Sequence, residues 1–481
     1  MDNWYYHDGV KVDLKPAESP LAAHFKQRFI VARQKLSALD LVDSDSTANS
    51  WGPPLYDAGG GVIAIPDGKV NVLQEDLKQY LAQHTLDALL TKVQAKHFRD
   101  PVRHFPAYVF SPNDGNPVDL ANRLTHEFKI QAQPRFVRVR PRSTIANGPA
   151  VSPLPTEWDE VSILERQWGL RQIEAPAAWA VTRGEPAVVA VIDSGVDPDH
   201  PDLTGKLQPG FDAVASWAHL DADPMRLATE LKSHWEDAHG TACAGVIVAQ
   251  GRFALGVAPG CTVLPIRFSR ISEHLYETPE CLPMALGHAI ENGAWILSNS
   301  YGLGDDLPDV VVLEALRKGM AARGGKGCVV VAAAGNDGQK QVERPARYPG
   351  VIAVAATDRR DRRWRSGNEA SNTGPQISVS APGEAIWTTD VHGPAGQCAE
   401  NPPADDYWGG FGGTSAACAF VAGVAALILS ANPDLRASEV QEILESTADP
   451  LKEDGLGRGR VNARKAVQLA QQRKPKDVPS V

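Results

Sequence analysis

Three short segments carry residues able to do covalent chemistry. Val189-Ala190-Val191-Ile192-Asp193-Ser194-Gly195 ends an apolar run on a carboxylate, His239-Gly240-Thr241 opens an Ala/Gly-rich helical pattern, and Gly413-Thr414-Ser415-Ala416-Ala417 opens another. A serine hydroxyl is a poor nucleophile at neutral pH and needs a base within hydrogen-bond reach. An imidazole is such a base, and a carboxylate behind it fixes its tautomer and steadies the imidazolium that forms. Taken singly, each residue has a bland reading: Asp193 as a cap or ion-pair partner, His239 as a satisfied core or surface residue, Ser415 as a helix N-cap. Taken together they supply a nucleophile, a base and an orienting acid.

Elements that hold such groups are legible around them. From about Glu157 onward, short unbroken apolar runs alternate with helical patterns: Ala187 to Ile192, Thr262 to Phe268, Trp295 to Leu297, Val329 to Ala334 and Val351 to Ala356. Strands covered on both faces need such runs, which predicts an α/β fold with a mainly parallel sheet and helices on each side. Several runs end in polar residues (Asp193; Ser298-Asn299-Ser300; Asn336), and the carboxyl ends of parallel strands are where sites form.

Residues 1–145 read as a smaller α/β unit. Gly59-Gly60-Gly61 precedes the strand pattern Val62 to Ile65, and Leu73, Leu77, Tyr80 and Leu81 mark one helix face. A strand–helix–strand series follows through Ala107 to Phe110, Val118 to Phe128 and Arg135 to Arg140, where Val137 and Val139 alternate with arginines. The stretch from Pro141 to Pro155 is rich in Pro, Ser, Thr, Asn and Gly. The predicted organisation is therefore an N-terminal unit at 1–145, a linker at 146–157, a large domain at 158–470 and a charged, Pro-containing tail at 471–481.

Composition sets the outer limits. The chain has 481 residues, 43% hydrophobic and 22% charged, as expected of a packed globular protein with two domains. With 48 basic and 58 acidic residues the net charge is −10, and the longest basic cluster runs only from Arg359 to Arg365, so nucleic acid is not an expected partner. No secretion signal or membrane-spanning run is visible, and six cysteines fit no C-x-x-C pattern, so the expected setting is cytoplasmic with reduced thiols.

The blocks around the three reactive residues, in the order Asp, His, Ser, resemble the subtilisin-like serine proteases. The resemblance runs from about Gln167 to Leu469. It includes Gln167-Trp168-Gly169-Leu170, Ala175-Pro176-Ala177-Ala178-Trp179, Gly256-Val257-Ala258-Pro259, Ser300-Tyr301-Gly302, Ala333-Ala334-Gly335-Asn336, Ala381-Pro382-Gly383 and Gly459-Arg460-Val461-Asn462-Ala463. It implies a subtilisin-like sheet, a serine endopeptidase that works through an acyl-enzyme, and a peptide or protein substrate. Asp193, His239 and Ser415 take the triad roles. The side-chain amide of Asn336 and the backbone N–H of Ser415 take the oxyanion role.

Some positions depart from the family pattern. Ala416 and Ala419-Phe420 replace the Met and Pro-His common after the nucleophile. The segment Gln250-Gly251-Arg252-Phe253 is short and lacks the Asn-rich loop that binds calcium in many secreted members, and Asp202 alone cannot supply six to eight oxygens. No cofactor is required by this chemistry; calcium stays open, with no metal site assigned. Cys243, four residues after His239 as in the proteinase K and kexin/furin groups, reads as a buried thiol rather than a zinc ligand. The glycines from Gly319 to Gly327 lack the spacing of a phosphate loop.

Resemblance also suggests specificity and control. Ser300-Tyr301-Gly302 lines the substrate cleft, and in the kexin/furin group acids at the places of Asp305 and Glu343 line the primary pocket, implying Arg or Lys before the scissile bond. Ser194 stands where that group has a further Asp, so no dibasic requirement follows. The N-terminal unit is either a pro-domain acting as an intramolecular inhibitor, with Arg142-Ser143 the best self-cleavage point, or a permanent accessory domain. A catalytically silent peptide-binding scaffold would lack one of the site residues, and none is missing. A triad-based acyl transferase would look the same in sequence.

Overall fold

A computed structural model describes residues 63–99, 107–113, 116–141, 159–214, 238–271, 274–277, 281–303, 310–392 and 406–473, with short strands at 4–7, 10–13, 15–16 and 56–57. Seven parallel strands form the central sheet in the order Phe211–Asp212, Thr262–Arg267, Val188–Asp193, Ile296–Asn299, Val329–Ala333, Ile352–Thr357 and Ile377–Pro382. Alternate residues of one strand enter different cores. Val189, Val191, Val329 and Val331 join one apolar cluster, and Ala190, Ile192, Val330 and Ala332 join the other. With both faces dry, every position must be apolar, which is why the sequence shows unbroken runs.

Helices Ala238–Val248 and Gly413–Ala431 pack in the first cluster, and Cys281–Glu291 and Val310–Ala321 in the second. Gly413–Ala431 is long and apolar enough to cross a membrane, with mean hydropathy 2.0, yet 89% of it is buried inside the protein. It lies against five of the sheet strands. The strand Ile377–Pro382 escaped the sequence reading because Ser378 and Ser380 interrupt its apolar pattern. The structure buries Ser380 by letting its hydroxyl donate to the Leu456 carbonyl at 2.7 Å.

Strand Val188–Asp193 lies between Thr262–Arg267 and Ile296–Asn299. The chain leaves it to build one flank of the sheet and returns to build the other, which opens a crevice at the carboxyl ends.

The N-terminal unit has the strand Ile63–Leu73, helices Gln74–Leu81 and Leu86–Val93, strands Ala95–Arg99 and Ala107–Pro112, helix Pro117–Phe128 and strand Ala132–Pro141. These strands pair antiparallel, with Ile63–Leu73 between Ala132–Pro141 and Ala107–Pro112. Leu73 closes the strand instead of opening the helix face, while Leu77 is buried as expected. Strand Ala132–Pro141 also pairs antiparallel with His274–Glu277 of the larger part, Arg140 opposite Leu275. Leu73, Ala107 and Val109 share the second apolar cluster with Leu282, Ala285 and Val311, so the unit's sheet is packed against the larger part. Residues 142–158 and 474–481, which hold the linker and most of the tail, and Arg142-Ser143 among them, lie outside the described residues.

Candidate active site

Asp193 is the last residue of its strand and His239 the second of its helix, whose first turn crosses the Asp193 loop closely. A Cβ on Gly240 would stand 2.0 Å from the Gly195 carbonyl oxygen, so only glycine lets the helix start there. The result is a short contact: His239 Nδ1 lies 2.8 Å from Asp193 Oδ1. A carboxylate only accepts here, so the ring proton sits on Nδ1 and Nε2 keeps its lone pair for a substrate-side proton. Asp193 Oδ1 also accepts from the Ser194 N–H at 2.7 Å, and the Ser194 hydroxyl accepts from the Gly240 N–H at 3.2 Å. Asp193 is buried, the His239 side chain is 22% exposed, and the Phe411 ring meets the imidazole edge-on at 5.6 Å.

Ser415 is the third residue of its helix, at the end where backbone N–H groups lack intrahelical partners. Its hydroxyl donates to the Ser300 carbonyl at 3.2 Å, and the Ser300 hydroxyl donates back to the Ser415 carbonyl at 3.0 Å. This is a resting rotamer. Rotation about one side-chain bond redirects the hydroxyl, and such contacts commonly tighten only with substrate bound.

Asn336 follows the strand Val329–Ala333. Its Oδ1 accepts twice from Thr414, from the N–H at 3.0 Å and the hydroxyl at 2.9 Å, and the Thr414 hydroxyl accepts from the Gly335 N–H at 3.2 Å. With the amide oxygen held on both sides, the NH2 group is the end left to face a substrate. Thr414 is thus a positioning residue that the sequence reading did not single out; its only signal was its place between Gly413 and Ser415. Asn372 was also missed. It braces the same loop, donating to the Ala334 carbonyl at 3.0 Å and accepting from the Gln339 N–H at 2.8 Å.

Of the residues expected to line a substrate cleft, Ser300 is already described. Tyr301 turns inward, with its hydroxyl on Asn299 Oδ1 at 2.8 Å and its ring on Phe268 at 4.5 Å, so its side chain is committed to the core. Glu343 is 5% exposed, and its carboxylate lies between two glycines: added Cβ atoms would stand 1.6 Å from it at Gly302 and 2.5 Å at Gly335. Asp305 falls outside the described residues.

The five described cysteines are buried, Cys281 with its thiol on the Ala213 carbonyl at 3.6 Å. Cys243 Sγ lies 3.9 Å from His239 Nδ1, and burial, with Asp193 nearby, pushes its thiol well above the ordinary range. Its ligand atom and those of Asp193 and His239 lie within 4.8 Å of one another, but two of the three are already engaged with each other. Burial likewise pushes Cys261 up to about 12 and Cys418 up to about 11, which keeps them neutral.

Residues 184–466 match the model of the subtilase family. The chain belongs to that family. Among relatives, this subtilase is 33% identical over 426 residues to the calcium-dependent protease of Nostoc sp., a match covering 76% of this chain and 58% of that protein. It is 34% identical over 308 residues to thermitase of Thermoactinomyces vulgaris, covering 63% of this chain and 96% of thermitase. In fold it is similar to fervidolysin from Fervidobacterium pennivorans, with a TM-score of 0.60 at 24% identity over 83% of this chain and 61% of that one. The large parallel sheet with helices on both faces is thus the subtilisin-like architecture.

Proposed function

We propose that this subtilase is a serine endopeptidase. The observations that support the reading are the Asp193–His239 couple at 2.8 Å and, at the start of the Ser415 helix, the Asn336 amide oriented by Thr414. In the reaction, Ser415 Oγ forms a bond to the substrate carbonyl carbon while His239 Nε2 takes its proton. The carbonyl oxygen becomes an oxyanion, held by the Asn336 NH2 group and the Ser415 N–H. The C–N bond then breaks as His239 returns the proton to the leaving amine. Water, activated by the same imidazole, releases the acyl group. Covalent labelling by a fluorophosphonate tests this: label is expected on Ser415 and absent from Ser415→Ala, and unlabelled folded wild type overturns the reading. Asn336→Leu is expected to lower kcat by about 10²- to 10³-fold with KM little changed, as for the matching asparagine of subtilisin.

The specificity reading is a preference for Arg or Lys before the scissile bond, in line with the kexin/furin likeness of this segment. It is supported by the Glu343 carboxylate between Gly302 and Gly335. A basic side chain reaching it gains a charge-assisted hydrogen bond, roughly 1.5–3 kcal/mol, which an apolar one cannot make. Glu343→Gln is therefore expected to reduce the Arg-over-Leu ratio of kcat/KM by about 10- to 100-fold in a peptide library. An apolar preference that the substitution leaves unchanged overturns the assignment.

The N-terminal unit is read as an intramolecular inhibitor, supported by the pairing of Ala132–Pro141 with His274–Glu277, which ties its last strand to the larger part. Mass spectrometry is expected to find a new N-terminus between Pro141 and Arg166 in wild type and none in Ser415→Ala. A fully active intact chain would instead make the unit a permanent accessory domain.

A further inference from the structure

Asp202 is 1% exposed, and its carboxylate accepts four hydrogen bonds. Oδ1 accepts from the Arg252 N–H at 2.6 Å; Oδ2 accepts from the N–H groups of Phe253 and Ala254, each at 3.0 Å, and from the Tyr407 hydroxyl at 2.9 Å. The Asp202 carbonyl accepts from the Gln250 N–H at 3.1 Å, and its own N–H donates to His200 Nδ1 at 3.0 Å. His200 is fully buried and Nδ1 accepts, so Nε2 carries the proton and donates to the Asp406 carbonyl at 2.8 Å.

These bonds join three segments that carry the reactive residues. Asp202 and His200 follow the Asp193 strand, residues 250–254 form the turn after the His239 helix, and Asp406 precedes and Tyr407 opens the strand Tyr407–Phe411 leading to Ser415. An aromatic shell closes round the joint: Tyr407 lies edge-on to Phe253 at 5.3 Å and stacks on Trp387 at 6.0 Å. Burial beside Asp202 pushes the Tyr407 phenol far up, so it stays a donor.

Two relatives of this chain are calcium-dependent proteases by name. A calcium ion at Asp202 would need six to eight oxygens converging on it. The groups converging on Asp202 are N–H and O–H donors, whose hydrogens repel a cation. Two carbonyls of the turn are already engaged, Phe253 by the Trp387 indole N–H at 2.8 Å and Ala254 by the Gly251 N–H at 2.8 Å. The residues do not fit calcium at this point. We propose that Asp202 and Tyr407 do by hydrogen bonding what a bound cation would otherwise do, so that the turn 250–255 keeps its shape when calcium is removed.

Hydrogen exchange of the full chain, in excess calcium and in excess EGTA, tests this without reference to catalysis. The Arg252, Phe253 and Ala254 amides are expected to exchange at rates within about twofold in the two conditions. Tyr407→Phe keeps the ring and removes one of four donors, and is expected to speed these amides about tenfold in both conditions. The proposal is overturned if chelation alone speeds them tenfold relative to the Val246, Ile247 and Val248 amides. It is equally overturned if Tyr407→Phe leaves them unchanged, or if calcium restores their protection in that variant.

Discussion

Alanine in place of His239 is expected to lower kcat by about 10⁶-fold, the size of loss that removing the matching histidine causes in subtilisin. In the proposed mechanism the imidazole is the base for Ser415 and the acid for the leaving amine, so its removal would stop both proton transfers. The Cys243 thiol beside the ring does not substitute. Cys243 is 3.9 Å from the ring, but its thiol is buried and pushed well above the ordinary range, so it stays protonated and cannot accept. Asp193 remains hydrogen-bonded by the Ser194 N–H at 2.7 Å, so the variant should fold, and its melting temperature should stay within a few degrees of wild type. Turnover of a peptide substrate checks the expectation; a loss below about 100-fold would show that another base serves Ser415.

Removing the acid is expected to cost less, about 10⁴-fold in kcat for Asp193→Ala, because Nε2 survives while its orientation and the stabilisation of the imidazolium are lost. The geometry adds a comparison. Both the imidazole Nδ1 and the Ser194 N–H converge on Oδ1 of Asp193. An amide oxygen at the same point would keep both bonds while removing the charge and putting an NH2 donor in place of Oδ2. Asp193→Asn with its oxygen so placed should therefore recover part of the loss if orientation dominates, and none if charge dominates. Steady-state kcat and KM of the two variants read the difference.

Both expectations concern residues visible in the sequence, for a physical reason. Strands dry on both faces must be written as unbroken apolar runs, so Val188–Asp193, Ile296–Asn299 and Val329–Ala333 announce themselves, and the polar residues ending them mark the reactive edge. Close backbone crossings demand glycine, as at Gly240. The reactive side chains stand in short ordered blocks, and the family resemblance of those blocks is what marks them out.

What local spacing does not carry are bonds between distant segments. Which end of the Asn336 amide faces the cleft is set by Thr414, 78 residues away, and nothing near Asn336 encodes it. Ser415 rests on Ser300 across 115 residues, a rotamer the blocks do not contain. Asp202 read as a carboxylate too isolated for a metal, and only the approach of Tyr407, 205 residues on, and of the turn 250–254 shows how its oxygens are used. Glu343 became a candidate by likeness to other proteases, and its seat between Gly302 and Gly335 appears only when two strands bring those glycines together. The sequence determined most of the sheet and its helices, since these follow from period along the chain, and it marked the reactive residues through the family resemblance of the blocks that hold them. Orientation of the amide, the resting hydroxyl and the buried carboxylates was decided by tertiary structure, because a hydrogen bond depends on where two groups meet in space.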